Sequence, residues 1–448
     1  MVIIMDQKIY EVRCPEIKKK KNLVKAMVPG SKSITNRALL LAAMAEGTST
    51  LYNCQTSDDA MHFMECLKEL GFSILSEPDH GLGSKITITG HGGDIPCKKA
   101  TINVGSAGTA ARFLSAMLAF SDGEYIVESS EQMKKRPMQP LIDSLRSAGA
   151  KVECMEEEGH FPLHIIGTGA ALPGVLKVNI EKSSQFLSAL LIAAGTFHHK
   201  IEIMVEGSHG LSYADLTVQM MEQFGVATKK QMQDGQIKYV LTGETSYQAM
   251  SYEVEPDMSA AAYFYALAAV LGTGVVVEGV KSKMLQGDTQ FIDVLTRMGC
   301  KCSETQEGEV VVYGPDNRQL KGGFVVDMSS FSDQALTLAA IAPFADGPIT
   351  ITGIGHIRLQ ECDRIEAMVR NLTALGIETE EKQEEITIFP GIPKGSDIET
   401  YDDHRVAMSF TLTGLGTKGV RILHPECCKK TFAEYFDVLE NVLEQLSK

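Results

Sequence analysis

The sequence predicts an α/β protein of two domains, built from six units of one design with three units in each domain. One observation is a polar opening followed by an apolar helix, which recurs about every 75 residues. This spacing exceeds the roughly 20–50 residues of solenoid repeats. The copies begin at Ser31, Ser106, Ser183, Asp257, Ser332 and Asp403. A second observation is a further helix pattern between the copies. In five cases it ends in glycine and runs into a strand, as in ECLKELGFSIL and DSLRSAGAKV.

The first copy, PGSKSITNRALLLAAMAEG, shows the design most clearly. Its first half is small, polar and basic, whereas Ala38–Ala45 is apolar and rich in helix formers. The pattern predicts a loop that leads into a helix buried on most of its circumference, with Gly47 ending the helix. A helix N-terminus attracts anions through its unpaired N–H groups. Because Lys32 and Arg37 add two positive charges there, we expect a site for phosphate or carboxylate.

The domain boundary is predicted at Gly243–Ser251, a polar, loop-like segment with three units on either side. The N-terminal domain is then 23–250, and the C-terminal domain combines 1–22 with 251–448. Short strands are expected near Tyr10–Val12 and Leu23–Val28, on either side of a run of lysines. That run, Lys18–Lys21, is interpreted as a solvated turn.

Composition excludes several classes of function. A net charge of -15 disfavours nucleic acid and anionic membranes as partners. No segment approaches the roughly 18–20 apolar residues that span a bilayer, and the start MVIIMDQKIY is too short an apolar run for a signal peptide. The ten cysteines show no paired CxxC spacing, so no zinc or redox motif is indicated. We expect a cytoplasmic protein with reduced thiols.

The polar openings collect side chains suited to binding anions and moving protons. Two further cationic segments, Lys134–Pro137 and Glu361–Arg364, precede second helices. If the helices of each domain point the same way, their N-termini converge on one face. A cleft between two such faces would attract multiply charged anions despite the acidic surface. The residues of the openings are Lys32, Ser33, Arg37, Ser106–Thr109, Arg112, Ser183, Ser184, Gln185, Asp333, Asp403, His404 and Arg405.

Each segment by itself has an ordinary interpretation. GSKS lacks the spacing of a P-loop, so it does not indicate ATP. SSQ and DHR alone are typical of helix caps. No Gly-x-Ser-x-Gly motif or Cys–His pairing indicates a covalent nucleophile. The functional interpretation depends on the recurrence, because independent caps would seldom include so many arginines.

Seven segments together resemble the 5-enolpyruvylshikimate-3-phosphate (EPSP) synthase family, in order and over nearly the whole chain. They are PGSKSITNRALLLAA, GSAGTAARFL, KKRPMQPLIDSLRSAGA, SSQFLSALL, GDTQFIDVLTRMG, QECDR and DDHRVAM. The resemblance implies an inside-out α/β barrel of two domains, each made of three βαβαββ units, with the active site in the cleft between them. It implies transfer of the enolpyruvyl group of phosphoenolpyruvate to the 5-hydroxyl of shikimate 3-phosphate through a tetrahedral intermediate, with release of phosphate. It also implies a monomer that needs neither metal nor organic cofactor.

The resemblance also assigns residues to roles. The N-terminal domain would form the shikimate 3-phosphate side of the site and the C-terminal domain the phosphoenolpyruvate side. Asp333 and Glu361 would transfer protons, with Lys32 and His404 assisting. His356 and Gln360 stand at further substrate-binding positions. The residues implied for shikimate 3-phosphate are Lys32, Ser33, Arg37, Ser183, Ser184, Gln185 and Tyr213. Those implied for phosphoenolpyruvate are Lys32, Gly108, Arg136, Arg364, Arg405 and Lys430.

Two alternatives stay open. Gln360 stands where the family usually has lysine, and His356 replaces an asparagine. Gln360 and the altered loop GSHGLSY favour as the rival a paralogue that transfers enolpyruvyl to another hydroxyl. A cation compensating for Gln360 would have to come from Arg358 or Arg364, and from Arg358 only if that segment turns. The other alternative, a non-catalytic anion-binding protein, is disfavoured because Asp333 and Glu361 are both present.

Overall fold

The structure is a computed structural model that describes residues 9–16, 23–169, 172–208, 210–233 and 235–448. The lysine run therefore lies outside the described residues. The strands are β1 Ile9–Glu11, β2 Leu23–Ala26, β3 Glu46–Cys54, β4 Ser73–Pro78, β5 Ser84–His91, β6 Lys99–Asn103, β7 Glu124–Glu128, β8 Lys151–Cys154, β9 Leu163–Ile166, β10 Val175–Asn179, β11 Ile201–Glu206, β12 Thr228–Gln233, β13 Gln236–Leu241, β14 Ser251–Glu253, β15 Gly274–Lys281, β16 Lys301–Glu304, β17 Glu309–Tyr313, β18 Phe324–Asp327, β19 Ile349–Thr352, β20 Thr379–Glu381, β21 Ile386–Ile388, β22 Asp397–Ile398 and β23 Arg421–Leu423.

The α-helices are α1 Lys32–Met44, α2 Asp58–Glu69, α3 Gly108–Ala119, α4 Glu131–Lys134, α5 Gln139–Ser147, α6 Gln185–Ala194, α7 Leu211–Gln223, α8 Met258–Leu271, α9 Phe291–Arg297, α10 Ala335–Ile341, α11 Arg364–Ala374, α12 His404–Gly416 and α13 Tyr435–Ser447. Short 3₁₀ turns cover Gly287–Gln290, Ser332–Gln334, Ala342–Phe344, Gly355–Leu359 and Pro425–Lys430.

The described strands form six sheets, and five of them share one strand order. In the sheet β6-β7-β9-β8, β6 is parallel to β7, while β9 runs antiparallel to its neighbours β7 and β8. The same order recurs as β14-β3-β5-β4, β10-β11-β13-β12, β2-β15-β17-β16 and β18-β19-β21-β20. The sixth sheet has three strands, β22-β23-β1, and β1 pairs antiparallel with β23. The prediction of six units of one design is confirmed.

The chain divides into two compact units. The first unit is Gly30–Val254, and the second unit comprises the described residues up to Pro29 and those from Glu255 onward. The predicted limits, 23–250 for the N-terminal domain, differ from this division at both ends. The reason is an exchange of strands: β2 precedes α1 in sequence but pairs with β15, and β14 precedes α8 but pairs with β3. Parallel pairing is not local, so a strand's own pattern does not reveal which sheet it joins.

The first helix of each repeat lies at the centre of its unit. Every residue of α3 is buried, as is His404–Leu415 in α12. In the first unit α3 packs against α1 and α6, and in the second unit α12 packs against α8 and α10. The second helix of each repeat, such as α5, buries only one side. Buried helices surrounded by sheets are the inside-out arrangement that the resemblance implied.

Glycines mark the ends of the second helices as predicted, but Gly47 has another role. Gly71 and Gly149 have φ of +92° and +101°, a conformation that side chains with a Cβ seldom adopt. By contrast, α1 ends at Met44, and Gly47 lies within β3 opposite Gly90. A Cβ on Gly90 would lie 2.2 Å from the carbonyl oxygen of Ala42. Gly90 therefore lets the sheet approach α1 closely, while Gly47 opposite it has a φ of +103°.

Among the described residues, no helix has both the length and the hydropathy needed to cross a membrane. In the same part of the chain, no group of three His, Cys, Asp or Glu side chains is arranged to hold a metal ion.

Candidate active site

The N-terminal end of α1 presents Lys32 beside an acidic partner. Lys32 Nζ lies 3.2 Å from Oδ2 of Asp59, whose side chain is buried in the first turn of α2. This pair cannot be predicted from the sequence, because Ser-Asp-Asp is an ordinary helix-start pattern. The pair fixes the ammonium group at the helix end, where the helix dipole also favours anions.

Arg37 is buried one turn further along α1 and is held by neutral groups. Its Nε donates to Oγ1 of Thr217 at 2.7 Å, and its Nη2 donates to the carbonyl of Tyr213 at 3.1 Å. Its Nη1 donates to the carbonyl of Ser33 at 2.9 Å. Burial lowers the pKa of Arg37 to about 10, so the side chain stays charged at neutral pH. A buried positive charge among neutral oxygens attracts an anion strongly, because the surroundings do not screen it.

A second group of cations lies at the start of α3. Arg112 is buried and donates to the carbonyls of Gly108 and Pro137 at 3.2 and 3.1 Å. Arg136, also buried, lies directly over Gly108, where an added Cβ would be 2.6 Å from its Nη1. Glycine at 108 therefore lets the Arg136 guanidinium approach the end of α3. The sequence analysis noted Arg112 in its opening but assigned it no substrate.

The starts of α6 and α7 lie beside these groups in the same unit. Gln185 Nε2 is 3.5 Å from Oγ1 of Thr109 in the first turn of α3. Gly210 caps α7 in the left-handed conformation, and a Cβ there would lie 2.7 Å from Ser184 Oγ. Through these contacts the first unit brings together most of the residues predicted for it. They are Lys32, Ser33, Arg37, Gly108, Arg136, Ser183, Ser184, Gln185 and Tyr213.

The second unit holds a denser cluster in which carboxylates alternate with cations. Arg364 is buried and donates to Asp403 at 2.8 Å, to Glu361 at 2.8 Å and to Asp333 at 3.2 Å. Arg405 donates to the other oxygen of Asp333 at 2.7 Å, and Lys430 Nζ lies 3.5 Å from Glu361. Burial alone would lower the pKa of Arg364, but the carboxylates, Asp403 foremost, raise it well above its ordinary value. Arg364 is therefore permanently charged and acts as the centre of the cluster.

Local structure explains how the cluster is held. Asp403 caps α12, its Oδ1 accepting from the backbone N–H of Arg405 at 2.8 Å, and Asp363 caps α11 in the same way. These caps place Arg364 at the first position of α11 and Arg405 at the second position of α12. Asp333 lies in the 3₁₀ turn that leads into α10. Sequence analysis assigned no substrate or proton to Asp403, since an aspartate before a helix is first of all a cap.

Three further predicted residues lie near or within this cluster. His404 is buried, with Nδ1 3.8 Å from Asp403. His356 Nε2 lies 2.8 Å from Oγ of Ser332, next to Asp333 in the chain. Gln360 follows the 3₁₀ turn Gly355–Leu359. The segment that contains Arg358 therefore turns, as compensation for Gln360 by Arg358 would require.

Arg358 is already paired with carboxylates. Its guanidinium is bound to Asp363 at 3.0 Å and to Glu381 at 2.7 Å. It also donates to the carbonyl of Lys382 at 2.9 Å. That Arg358 takes the place of a lysine at 360 therefore stays a prediction, and it would require Arg358 to leave Asp363 and Glu381.

The two units differ in their electrostatics. In the first, Arg37 and Arg112 are held by carbonyls and a hydroxyl, which leaves net positive charge at the helix ends. In the second, Arg364, Arg405 and Lys430 are interleaved with three carboxylates. The first arrangement suits the binding of a highly charged anion, and the second can also donate and accept protons. The fold and the two clusters thus define a two-unit α/β protein built to bind anions and transfer protons.

Comparison with known proteins makes this class specific. A family model described as EPSP synthase (3-phosphoshikimate 1-carboxyvinyltransferase) matches residues 17–439. The 3-phosphoshikimate 1-carboxyvinyltransferase of Nostoc punctiforme is 41% identical over 419 residues, covering 93% of this chain and 96% of that protein. The one of Trichormus variabilis is 42% identical over 410 residues, covering 91% and 94%. A solved EPSP synthase from Acinetobacter baumannii superposes with a TM-score of 0.78 at 27% identity, covering 97% and 98% of the two chains. The chain belongs to the EPSP synthase family.

Proposed function

We propose that the chain transfers the enolpyruvyl group of phosphoenolpyruvate to the 5-hydroxyl of shikimate 3-phosphate and releases phosphate, as a step of the shikimate pathway towards chorismate. The observation that carries the proposal is the second-unit cluster, in which Asp333 and Glu361 are held among Arg364, Arg405 and Lys430. A binding protein for anions would need the cations alone. Buried carboxylates beside them oppose anion binding and are useful only if protons move.

The first-unit cluster fits shikimate 3-phosphate, which carries a phosphate and a carboxylate. Arg37 and Lys32 provide positive charge, and hydroxyl and amide groups follow at the starts of α6 and α7. A guanidinium matches either anion with two parallel hydrogen bonds. We assign Lys32, Ser33, Arg37, Ser183, Ser184, Gln185 and Tyr213 to this substrate, with His356 and Gln360 as further contacts.

Phosphoenolpyruvate is assigned to Lys32, Gly108, Arg136, Arg364, Arg405 and Lys430. Arg364 already donates to three carboxylates, so an anion that reaches it must share or displace one of them. Binding of phosphoenolpyruvate would thereby release a carboxylate from its guanidinium and make it a stronger base. Because the reaction joins the two substrates, the proposal requires that the residues of both units act on one bound pair.

The addition step needs two proton transfers, one from the hydroxyl and one to C3. The elimination step needs two as well, one from C3 and one to the departing phosphate. As the 5-hydroxyl oxygen attacks C2 of phosphoenolpyruvate, the hydroxyl proton leaves and a proton adds to C3. The tetrahedral intermediate then loses a proton from C3 as the C2–O bond to phosphate breaks. We assign the hydroxyl proton to Asp333 and the C3 proton to Glu361, with Lys430 3.5 Å from Glu361 to balance its charge. Lys32 and His404 assist by stabilising negative charge that develops on the substrates.

A phosphate-release assay tests the proposal. With phosphoenolpyruvate and shikimate 3-phosphate together, we expect one phosphate per enolpyruvyl ether formed, and none with either substrate alone. Release only with another hydroxyl acceptor would identify the paralogous transferase that Gln360 and the altered loop GSHGLSY favour as the rival. Binding of both anions in calorimetry without any phosphate release would identify a non-catalytic binding protein.

Thr217 offers a test of the Arg37 assignment from a position that is not expected to touch substrate. Replacing Thr217 by valine keeps the volume but leaves the buried Nε–H of Arg37 without its acceptor at 2.7 Å. A charge-assisted hydrogen bond of this kind contributes about 1.5–3 kcal/mol. We expect the dissociation constant for shikimate 3-phosphate, measured by calorimetry, to rise about tenfold or more. Thr217→Ser, which keeps the hydroxyl, is the matched control and should bind nearly as the wild type does. Equal affinities for valine and serine variants would contradict the assignment.

The proposal includes a cytoplasmic, monomeric protein that works without metal or organic cofactor. In support, all ten cysteines lie among the described residues and none forms a disulfide. Sedimentation at micromolar concentration tests the monomer.

A further inference from the structure

Asp288 is a buried carboxylate that neither the sequence analysis nor the proposed mechanism uses. It lies in the 3₁₀ turn Gly287–Gln290 and is 4% exposed. Its Oδ1 accepts hydrogen bonds from Gln334 Nε2 at 3.0 Å and from Ser259 Oγ at 3.1 Å. Burying a carboxylate is costly even with hydrogen bonds, so its presence calls for a physical reason.

Gln334 connects Asp288 to the carboxylate cluster. It follows Asp333 directly, in the 3₁₀ turn Ser332–Gln334, and its side chain is fully buried. Its Oε1 accepts from Thr337 Oγ1 at 3.2 Å, so the amide is held at both ends. Since the turn is so short, fixing Gln334 also fixes the backbone that presents Asp333 to Arg364 and Arg405.

Anchoring the loop does not explain the carboxylate. Glu255 accepts from the backbone N–H of Leu285 at 3.0 Å, and Gln286 exchanges hydrogen bonds with Pro256 and Met258 at 2.8 and 3.0 Å. These contacts already attach the loop to the start of α8. A neutral side chain at 288 could also accept the hydrogen bonds from Gln334 and Ser259. The need to hold the loop therefore does not explain why residue 288 is charged.

The charged groups around Asp288 link it to Asp333. Asp257 faces it from the start of α8, Asp333 from the turn before α10, and Arg405 from α12. Burial, and after it the negative charge of Asp333, raise the pKa of Asp288 to about 6. Repulsion between two carboxylates is mutual, so ionised Asp288 must in turn favour the protonated form of Asp333. At neutral pH, the charge of Asp288 therefore makes Asp333 a stronger base than it would be without that charge.

We propose that Asp288 is a positioning residue for the transfer reaction, which sets the orientation of Asp333 through Gln334 and its proton affinity through charge. The proposal depends on the proposed function for the role of Asp333 as a base. It assigns to Asp288 no contact with either substrate. Removal of its charge should therefore alter kcat and its dependence on pH, and leave both KM values nearly unchanged.

Asp288→Asn is the first test, because asparagine keeps an acceptor for Gln334 and loses the charge. In the phosphate-release assay, we expect kcat of the wild type to rise through a step near pH 6, where Asp288 ionises. The variant should lack this step and be about tenfold slower at pH 7.5, with KM values within about twofold. A variant whose pH profile superposes on that of the wild type would overturn the proposal.

Glu255→Gln is the matched control. Glu255 holds the same loop, and burial also raises its pKa, but it accepts hydrogen bonds from Leu285 and Gln286 rather than from Gln334. This variant should lower thermal stability and keep the step near pH 6. Loss of the step in both variants would mean that the loop matters only as a scaffold, which would also overturn the proposal.

Stability measurements separate this inference from the proposed function. The folded-state pKa of Asp288, about 6, lies above the ordinary value of 3.8, so the folded state binds more protons in that interval. Stability therefore falls as pH rises from about 4 to 6. Asp288→Asn should remove this fall, so the Tm difference between variant and wild type should grow with pH, whether or not phosphate is released. A Tm difference independent of pH would count against the inference alone.

A second variant is available if Asp288→Asn does not fold. Gln334→Met removes the hydrogen bond between Gln334 and Asp288 and keeps the charge of Asp288. A kcat of Gln334→Met equal to that of the wild type would overturn the proposal.

Discussion

Asp333→Asn is expected to lower kcat for phosphate release by about 10²–10⁴-fold, the range that general acid–base catalysis supplies. Asparagine can still accept a hydrogen bond from Arg405, so the geometry of the cluster is kept. Its neutral amide cannot take the proton of the attacking hydroxyl. Because a negative charge is lost beside Arg364 and Arg405, affinity for phosphoenolpyruvate should stay equal or increase. Turnover should therefore fall without a loss of affinity for phosphoenolpyruvate.

The measurement is kcat at saturating substrates, with dissociation constants from calorimetry. Asp397→Asn is the control, because Asp397 also pairs with an arginine, Arg421 at 2.8 Å, but on the surface of the sixth sheet. This variant should keep both turnover and affinity. A kcat of Asp333→Asn within a few-fold of the wild type would remove Asp333 from the proton transfer.

The repeat, and which helices of each repeat are buried, could be predicted from the sequence, because both depend on local composition. The apolar runs of α1 and α12 can only be buried, and polar residues at their starts stand out against them. The exchange of β2 and β14 between the units could not be predicted, since it depends on which distant strand each one joins. The predicted boundary consequently differed from the observed one by a few residues at each end.

The candidate site was predictable where several unusual residues cluster in one short segment, and not where a single residue acts through distant contacts. QECDR and DDHR bring together the groups that the second unit assembles. Thr217 lies in the middle of α7, and its contact with Arg37 spans 180 positions. Asp288 belongs to a motif that the resemblance includes, yet its burial and its link to Gln334 exist only in the folded chain. Arg358 shows the reverse case, a suitable charge whose guanidinium is bound by Asp363 and Glu381.

Replacing Arg364 by methionine is expected to cause the largest loss of stability. Arg364 is 2% exposed, and it is the shared partner of Asp333, Glu361 and Asp403. Methionine fills a similar volume but leaves the buried carboxylates without this counter-charge. Breaking a buried ion pair in this way costs about 3–5 kcal/mol. For a unit of this size we expect the thermal transition to fall by roughly 10 °C. The fall of the thermal transition relative to the wild type should be smaller at pH 5 than at pH 8, because protonation neutralises carboxylates that have lost their partner.

Arg421→Met is the matched control for charge and chain length. Arg421 also binds an aspartate, but its side chain is about half exposed, and exposed pairs contribute only about 0–1 kcal/mol. Its thermal transition should move by at most a degree or two at either pH. If the two variants lost the same stability, the ion pairs of Arg364 would contribute no more than exposed ones. Its carboxylates would then not lie in the low-dielectric environment that the mechanism needs. A large loss for Arg364→Met alone, smaller at low pH, would identify Arg364 as the residue that allows carboxylates to be buried where protons are transferred.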